Sequence, residues 1–230
     1  MEWWQILLIV LGSLLLLFVF SIVFYKQFFK RFWDIVLSGL SLIVLSPILL
    51  ILMVVGAIAM GGNPFFTQKR PGKKDRNGNE RIFKLIKFRT MSNKKDDSGN
   101  LLPDEQRLNR YGKFLRSTSL DELPELLNIL IGNMSIIGPR PLLVQYLERY
   151  NEEQRHRHDV RPGLTGYAQC HGRNALTWKE KFKMDVWYTR HISLFGDIKI
   201  IFETVFSVFK REGISSESSA TMEEFMGNGE

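Results

Sequence analysis

Hydrophobic and polar positions divide this chain into an apolar front and a mixed, strongly basic body. Ile6 to Phe24 is a run of 19 residues without a charge, flanked by Trp3, Trp4 and Tyr25 and then by Lys26, Lys30 and Arg31. A helix of that length covers about 28 Å, close to the ~30 Å hydrocarbon core of a bilayer. It is expected to span a membrane, with the tryptophans at one interface and the basic cluster on the cytoplasmic side. A secretory signal fits less well, because Glu2 replaces the basic leader and no Ala-x-Ala site follows. The second apolar run, Ile35 to Met60, is basic on both flanks: Lys26, Lys30 and Arg31 before it, Lys69, Arg70, Lys73, Lys74 and Arg76 after it. One crossing would put a basic cluster outside, against the positive-inside tendency. Ser46-Pro47 lies near the middle, and a proline there removes a helical hydrogen bond and kinks the helix. Two readings stay open on charge alone, a re-entrant helix-break-helix and a kinked transmembrane helix.

Beyond Gly61 the periodicity shortens. Phe65 to Arg70 and Ile82 to Arg89 read as two strands around a turn at Gly72 to Asn79, which predicts a hairpin. Asn93 to Asn100 reads as a polar loop, and Arg107 to Leu115 starts a helix. Ser119-x-x-Glu122 followed by Pro124 has the form of a capping box, with the helix running through Leu126, Leu127 and Leu130 to a stop at Gly132. Arg161 to Arg173 is a turn-rich loop. From Ile198 to Lys210, a polar stripe of Lys199, Glu203, Ser207 and Lys210 lies on an otherwise apolar helix, suited to a membrane interface, to packing on the anchor or, equally, to a plain core helix. The tail from Gly213, rich in Ser, Gly and Glu, is expected to be disordered.

Charge sharpens this division. All 31 lysines and arginines lie within residues 1–211, against 19 of the 24 carboxylates, so the body is far more basic than the overall +7 implies. Such a body suits anionic partners. Nucleic acid is disfavoured, because no RNP, KH or helix-turn-helix signature accompanies the charge. Cys170 is the only cysteine, which excludes an intrachain disulfide, and it reads as a small packed side chain. His156 and His158 stand two apart and would diverge on a helix, which argues against a metal pair. No phosphate-binding Gly-x-x-x-x-Gly-Lys loop and no Gly-x-Gly-x-x-Gly turn occur.

The candidate chemistry lies in Arg116 to Pro141. Adjacent carboxylates Asp121 and Glu122 stand among Arg116 and, in a Gly-Pro-Arg-Pro corner, Arg140. A carboxylate nucleophile or metal ligand beside fixed cations suits phosphoryl chemistry. Neighbouring side chains at a helix start point in different directions, so one carboxylate is free to cap while the other faces a ligand.

Ordered motifs from Lys30 to Lys210 carry a family resemblance. They are Lys30-Arg31-x-x-Asp34, Ser46-Pro47, Phe66-x-Gln68-x-Arg70-x-Gly72, Lys87-Phe-Arg-Thr-Met91, Arg116-x-Thr-Ser-x-Asp-Glu-Leu-Pro124, Gly138-Pro-Arg-Pro141 and Pro162-Gly-x-Thr-Gly-x-Ala-Gln-x-x-Gly-Arg173. With them the chain resembles the bacterial sugar transferases, the monotopic polyprenyl-phosphate phosphoglycosyl transferases. The resemblance implies transfer of a phospho-sugar from a UDP-sugar to undecaprenyl phosphate with release of UMP, the first membrane step of exopolysaccharide, capsule, O-antigen or glycoprotein glycan assembly. It implies Asp121 as nucleophile and ligand of Mg2+, and Glu122 as its partner, activating or positioning the lipid phosphate. Lys87, Arg116, Pro139, Arg140, Pro141 and Arg173 become substrate-binding residues. Ser46 and Pro47 become the break of a re-entrant helix, and Lys30, Arg31 and Asp34 an anchoring motif. Smaller members begin near that motif, so the added N-terminal helix puts the strict label monotopic in doubt.

The expected fold is therefore α+β: a membrane-anchored, mainly helical cytosolic domain with a small β-hairpin or sheet. Residues 1–29 form the transmembrane helix and linker, 30–61 the re-entrant hairpin, 62–211 the cytosolic catalytic domain and 212–230 a disordered acidic tail. The expected place is the bacterial inner membrane, cytosolic face, with phospholipid around the anchor and downstream glycosyltransferases as partners. A homodimer stays open, since no heptad marks an interface. Two rivals remain: a non-catalytic membrane-anchored module that binds anionic lipid or recruits partners, and a UDP-sugar hydrolase.

Overall fold

The computed structural model describes residues 2–172, 176–210 and 224–228. Helix α1 (Trp3–Val23) buries none of its side chains. A π-helical stretch, Tyr25–Phe29, leads into α2 (Lys30–Val44), which is followed by α3 (Ser46–Met60). The segments Tyr25–Val44 and Ser46–Met60 meet at 64°. The cause is local: Pro47 has no N–H to offer the carbonyl of Ile43, four residues back. The Ser46 hydroxyl donates to that carbonyl instead, at 2.7 Å. The helix-break-helix expected at Ser46-Pro47 is therefore present, with the freed acceptor satisfied.

The three residues expected to anchor α2 all reach into the body. Arg31 donates to the carbonyls of Ile129 and Leu130 at 2.7 and 2.9 Å. These belong to the last turn of the helix Glu125–Ile131 introduced below, whose terminal carbonyls have no partners within the helix. Buried Asp34 accepts from the Ser135 hydroxyl and the Ile136 N–H at 3.0 and 2.9 Å. Lys30 pairs at 2.6 Å with Asp197, which also accepts from the hydroxyls of Tyr25 and Tyr188 at 2.8 Å each.

Strands β1 (Phe65–Lys74) and β2 (Glu80–Phe88) form the expected antiparallel hairpin, with Phe65 opposite Phe88 and Lys74 opposite Glu80. The strand runs past Gly72, so the turn is shorter than expected; Asp75 closes it by accepting from the N–H groups of Asn77 and Asn79. Helices α4 (Asp104–Arg107), α5 (Arg110–Thr118) and α6 (Glu125–Ile131) follow. Phe83 and Leu85 of β2 meet Leu126 and Ile129 of α6 and Met134 in one core cluster. The side chain of Asn128, fully buried, fastens the two elements: its carbonyl oxygen accepts from Ile86 N–H at 3.0 Å and its amide donates to the Lys84 carbonyl at 2.8 Å.

The capping box expected at Ser119 is not there. Ser119 instead closes α5 in the left-handed region (φ 56°), makes no side-chain cap, and is followed by a 3-10 turn, Leu120–Glu122. Two cations engage the Glu122 carboxylate, and these ion pairs replace the reach back to a backbone N–H. The expected stop at Gly132 holds, with φ 97°.

Strands β3 (Ser135–Ile137) and β4 (Gly163–Thr165) pair in parallel, an element the sequence pattern did not announce. Helices α7 (Glu152–Arg155), α8 (Tyr167–Cys170), α9 (Trp178–Arg190) and α10 (Leu194–Lys210) complete the body. Cys170 is half-buried, with its sulfur 3.1 Å from the Thr204 hydroxyl. The tail departs from the disorder expected of 212–230 in its described part. Residues 224–228 lie on the body, and Phe225 is buried among Tyr146, Tyr150 and Phe182. Its composition provides no core of its own, but one aromatic side chain finds a core elsewhere.

Asn128→Ala deletes both bonds to β2 and leaves two backbone groups of β2 without partners. Each such group costs about 1–3 kcal/mol, so a destabilisation of roughly 2–6 kcal/mol is expected in denaturant unfolding. A loss under about 0.5 kcal/mol would show that the hairpin holds its place without this clamp.

Candidate active site

Three elements converge on one carboxylate. The 3-10 turn after α5 carries Asp121 and Glu122, β2 contributes Lys87, and the corner after β3 contributes Arg140. The turn exists because Ser119 reverses the chain in a conformation that costs an L-residue about 1–2 kcal/mol. The corner exists because Gly138 and Gly163 lie backbone against backbone. A Cβ on Gly163 would stand 2.1 Å from Gly138 N, and one on Gly138 would stand 2.4 Å from the Arg161 carbonyl. Gly138 N–H donates to Thr165 and Gly163 N–H to Pro139, at 2.9 and 3.0 Å. Buried Pro139 and Pro141 flank Arg140 and restrict its backbone. The Arg140 carbonyl is held in turn by Arg157 at 2.7 Å.

Glu122 Oε1 accepts from Lys87 Nζ at 2.8 Å and from an Arg140 Nη at 2.5 Å. Burial alone would raise the Glu122 pKa, but Arg140 and Lys87 outweigh it and hold the group far below the usual carboxylate range. Arg140 is raised by the same pairing. Glu122 is therefore a permanent anion that holds two cations side by side. Lys87 also contacts Glu125 at 3.0 Å. Burial, which Lys87 only partly offsets, and the neighbouring Glu122 push Glu125 up to about 7.

Asp121 differs from its neighbour. Its carboxylate makes no hydrogen bond or ion pair with any described residue. Burial and the charge of Glu122 raise its pKa to about 6, against the pull of Lys87, Arg140 and Arg116. Arg116 is steadied by donating its Nε to the Thr90 hydroxyl at 3.1 Å. Further cations crowd the same place. Arg70 is lowered to about 10 by burial and by Arg140, and its buried Nε has no partner among the described residues. Lys181 is lowered to about 8 by burial and by Arg140. Cations gathered about Arg140, beside a carboxylate without a partner, make a site for an anion of several charges.

Of the residues expected at the site, Lys87, Arg116, Asp121, Glu122, Pro139, Arg140 and Pro141 are brought together. Arg173 lies outside the described residues. Lys30, Arg31 and Asp34 fasten α2 to α10, α6 and β3 respectively, and Ser46 and Pro47 lie at the helix break. The two histidines diverge: His156 pairs with Asp159 at 2.7 Å, while buried His158 faces the Gly72 carbonyl at 3.2 Å. Sequence reasoning passed over Glu125, Arg70 as a site cation, and Arg157. Glu125 was within reach as the third carboxylate, three positions after Glu122. Arg157 had no local signal, because its partner Asp185 lies on α9.

Residues 25–211 match the family model described as bacterial sugar transferase. The Bacillus subtilis (strain 168) protein described as uncharacterized sugar transferase EpsL is 46% identical over 201 residues, covering 87% of this chain and 97% of that one. The UDP-glucose:undecaprenyl-phosphate glucose-1-phosphate transferase of Klebsiella pneumoniae is 39% identical over 191 residues, 79% of this chain but only 40% of the relative. The exopolysaccharide production protein ExoY of Rhizobium meliloti (strain 1021) is 34% identical over 201 residues, 80% of this chain and 87% of the relative. The chain thus spans nearly all of two of these relatives and about two fifths of the third.

Asp121 is expected to titrate near pH 6, protonated below and anionic above, about two units above an exposed aspartate. Lys87→Met removes a cation that favours the anion and should move this titration higher. Carboxyl carbon NMR of aspartate-labelled protein, assigned with Asp121→Asn, reads both. Titration near 4 in the wild type would remove the argument for a desolvated carboxylate.

Proposed function

The chain belongs to the bacterial sugar transferase family, and on that premise we propose that it transfers a phospho-sugar from a UDP-sugar to undecaprenyl phosphate, releasing UMP. The observation that carries this reading is the unpaired Asp121 carboxylate, set beside a second carboxylate that holds Lys87 and Arg140 in place. The printed name of the Klebsiella relative supports donor and acceptor of this kind.

In the proposed first step an Asp121 oxygen attacks the sugar-bearing phosphorus of the donor. A P–O bond forms to Asp121, the bond to the bridging oxygen breaks, and UMP leaves with that oxygen. In the second step an oxygen of the lipid phosphate attacks the same phosphorus, and the bond to Asp121 breaks to return the carboxylate. A carboxylate and a diphosphate repel, so the approach depends on cations that neutralise the phosphate oxygens. Lys87, Arg116 and Arg140 take that role here, with Arg70 as a further donor and Arg173 assigned to it by resemblance. Glu122 acts by positioning: a carboxylate held so low is a weak base, and a lipid phosphate with a second pKa near 6 needs none at neutral pH.

The donor set fits magnesium. No cluster of three ligating side chains occurs among the described residues, and magnesium at phosphoryl sites takes one or two carboxylates plus substrate phosphates and water. Asp121 is the free carboxylate that would hold it, and the ion would supply neutralisation of phosphate charge.

The acceptor reading rests on the apolar surface. Helix α1, the outer faces of α2 and α3, and Phe195, Phe202 and Val205 of α10 are exposed. We assign residues 1–29 to a spanning helix, 30–61 to a re-entrant hairpin and 62–211 to a catalytic domain on the cytosolic face of the bacterial inner membrane. The bend at Ser46-Pro47 and the basic residues on both flanks support that arrangement. The step would initiate assembly of a glycan such as an exopolysaccharide, as the printed name of the Rhizobium relative suggests.

Purified protein with magnesium and a panel of UDP-sugars, with and without undecaprenyl phosphate, should release UMP only when the right pair is present. Wild-type protein given donor alone should gain the mass of a phospho-sugar. No UMP under any pairing would leave the lipid-binding module, and acceptor-independent turnover the hydrolase. Asp121→Asn should lose at least about a thousandfold in kcat, and Arg140→Ala about a hundredfold; normal turnover of Asp121→Asn would falsify the nucleophile. Because Asp121 is raised to about 6, the rate should climb as pH rises through that value and level off above it. Removing magnesium with EDTA should abolish turnover and leave the protein folded.

A further inference from the structure

We propose that the C-terminal segment Glu224–Asn228 is a docked peptide that positions the active-site cations Arg140 and Lys181. It rests on the proposed reaction only for its turnover readout. The dock is built from both apolar and polar contacts. Phe225 is 3% exposed, with its ring 4.9 Å from Phe182, 5.6 Å from Trp178 and 5.7 Å from Tyr146 between centroids. Its N–H donates to the Tyr146 hydroxyl at 3.2 Å, and its carbonyl accepts from Arg149. Arg149 also takes Glu224 at 2.9 Å, and Asn228 donates to the Arg149 carbonyl at 3.0 Å. A peptide that engages backbone and side-chain partners and buries an aromatic anchor is held by a site, not laid on a surface.

Two routes lead from the dock to the catalytic cations. Tyr150 and Phe182, which wall the Phe225 ring, also carry the buried guanidinium of Arg157 over their own faces, at 5.8 and 5.7 Å. Arg157, neutralised by Asp185 at 2.7 Å, donates to the Arg140 carbonyl and so sets the backbone from which Arg140 reaches Glu122. Trp178, stacked against Phe182, carries Lys181 over its ring at 5.4 Å. Removing Phe225 empties the centre of this cluster, and neighbours of a vacated core site relax toward it. Arg157 and Trp178 would then lose the backing that holds the Arg140 backbone and, next to Arg140, the Lys181 ammonium in place.

The test uses the full chain with a protease site inserted between residues 213 and 220, cut after purification so that the body has folded with its tail. After cutting and washing, a labelled peptide of residues 221–230 should rebind by fluorescence anisotropy, and the version carrying Phe225→Ala should not. The washed enzyme should lose about tenfold in kcat and bind inorganic pyrophosphate about tenfold more weakly as Arg140 loosens, and added peptide should restore both. Phe225→Leu in the intact chain should retain most of the rate. No rebinding, or a washed enzyme with unchanged kcat and unchanged pyrophosphate affinity, overturns the proposal. If even the uncut enzyme shows no turnover, the proposed reaction fails, while anisotropy and pyrophosphate affinity still decide the dock.

Discussion

The arrangement depends on one oxygen atom. Glu122 Oε1 accepts from both Lys87 and Arg140, which come from a hairpin strand and from a glycine-proline corner. Without that anion the two cations would repel, and Arg140 would lose its carboxylate partner while Lys87 kept only Glu125 among the described residues. With it, a cationic wall stands ready before any phosphate arrives, which is what makes electrostatic stabilisation effective. The neighbouring carboxylate stays unpaired because Glu122 has taken the cations, and its raised pKa is the consequence.

The rest of the body keeps those three elements in register. Asn128 ties α6 to β2, so the strand presents Lys87 to Glu122 and Glu125. Arg31 and Asp34 tie α2 to the end of α6 and the start of β3. The residues that link the bent helix pair to the body therefore grip the far end of the helix that follows the Asp121–Glu122 turn and the strand that leads to the Arg140 corner. A site built this way is tied to the apolar helices, as the proposed transfer from a soluble donor to a lipid phosphate requires.

Much of this was legible in the sequence where a single local rule decided the outcome. A 19-residue uncharged run, a proline after serine in an apolar helix, alternating strands around an Asp-Asn-Gly turn, and a glycine after a leucine-rich helix each point to one local element: a helix, a helix break, a hairpin and a helix stop. Those four elements are present in the structure at or near the expected positions. The misreadings came where local and long-range partners compete. Ser119-x-x-Glu122 fits a capping box, but a lysine 35 positions away and an arginine 18 positions away offered Glu122 charge rather than a neutral N–H. The tail looked unstructured because composition counts the segment alone and cannot see Tyr146 and Phe182.

The sequence by itself brought forward two adjacent carboxylates, a lysine, two arginines and a proline-locked corner, but neither Glu125 nor Arg70, whose places beside them depend on the fold. Only the tertiary structure decided which carboxylate is paired with cations and which is left without a partner. Adjacent residues share almost the same sequence context, so nothing local distinguishes Asp121 from Glu122. Their difference lies in which one meets the converging cations. That is set by a left-handed Ser119, a strand register fastened by Asn128 and a backbone contact between Gly138 and Gly163, all of them relations across the fold.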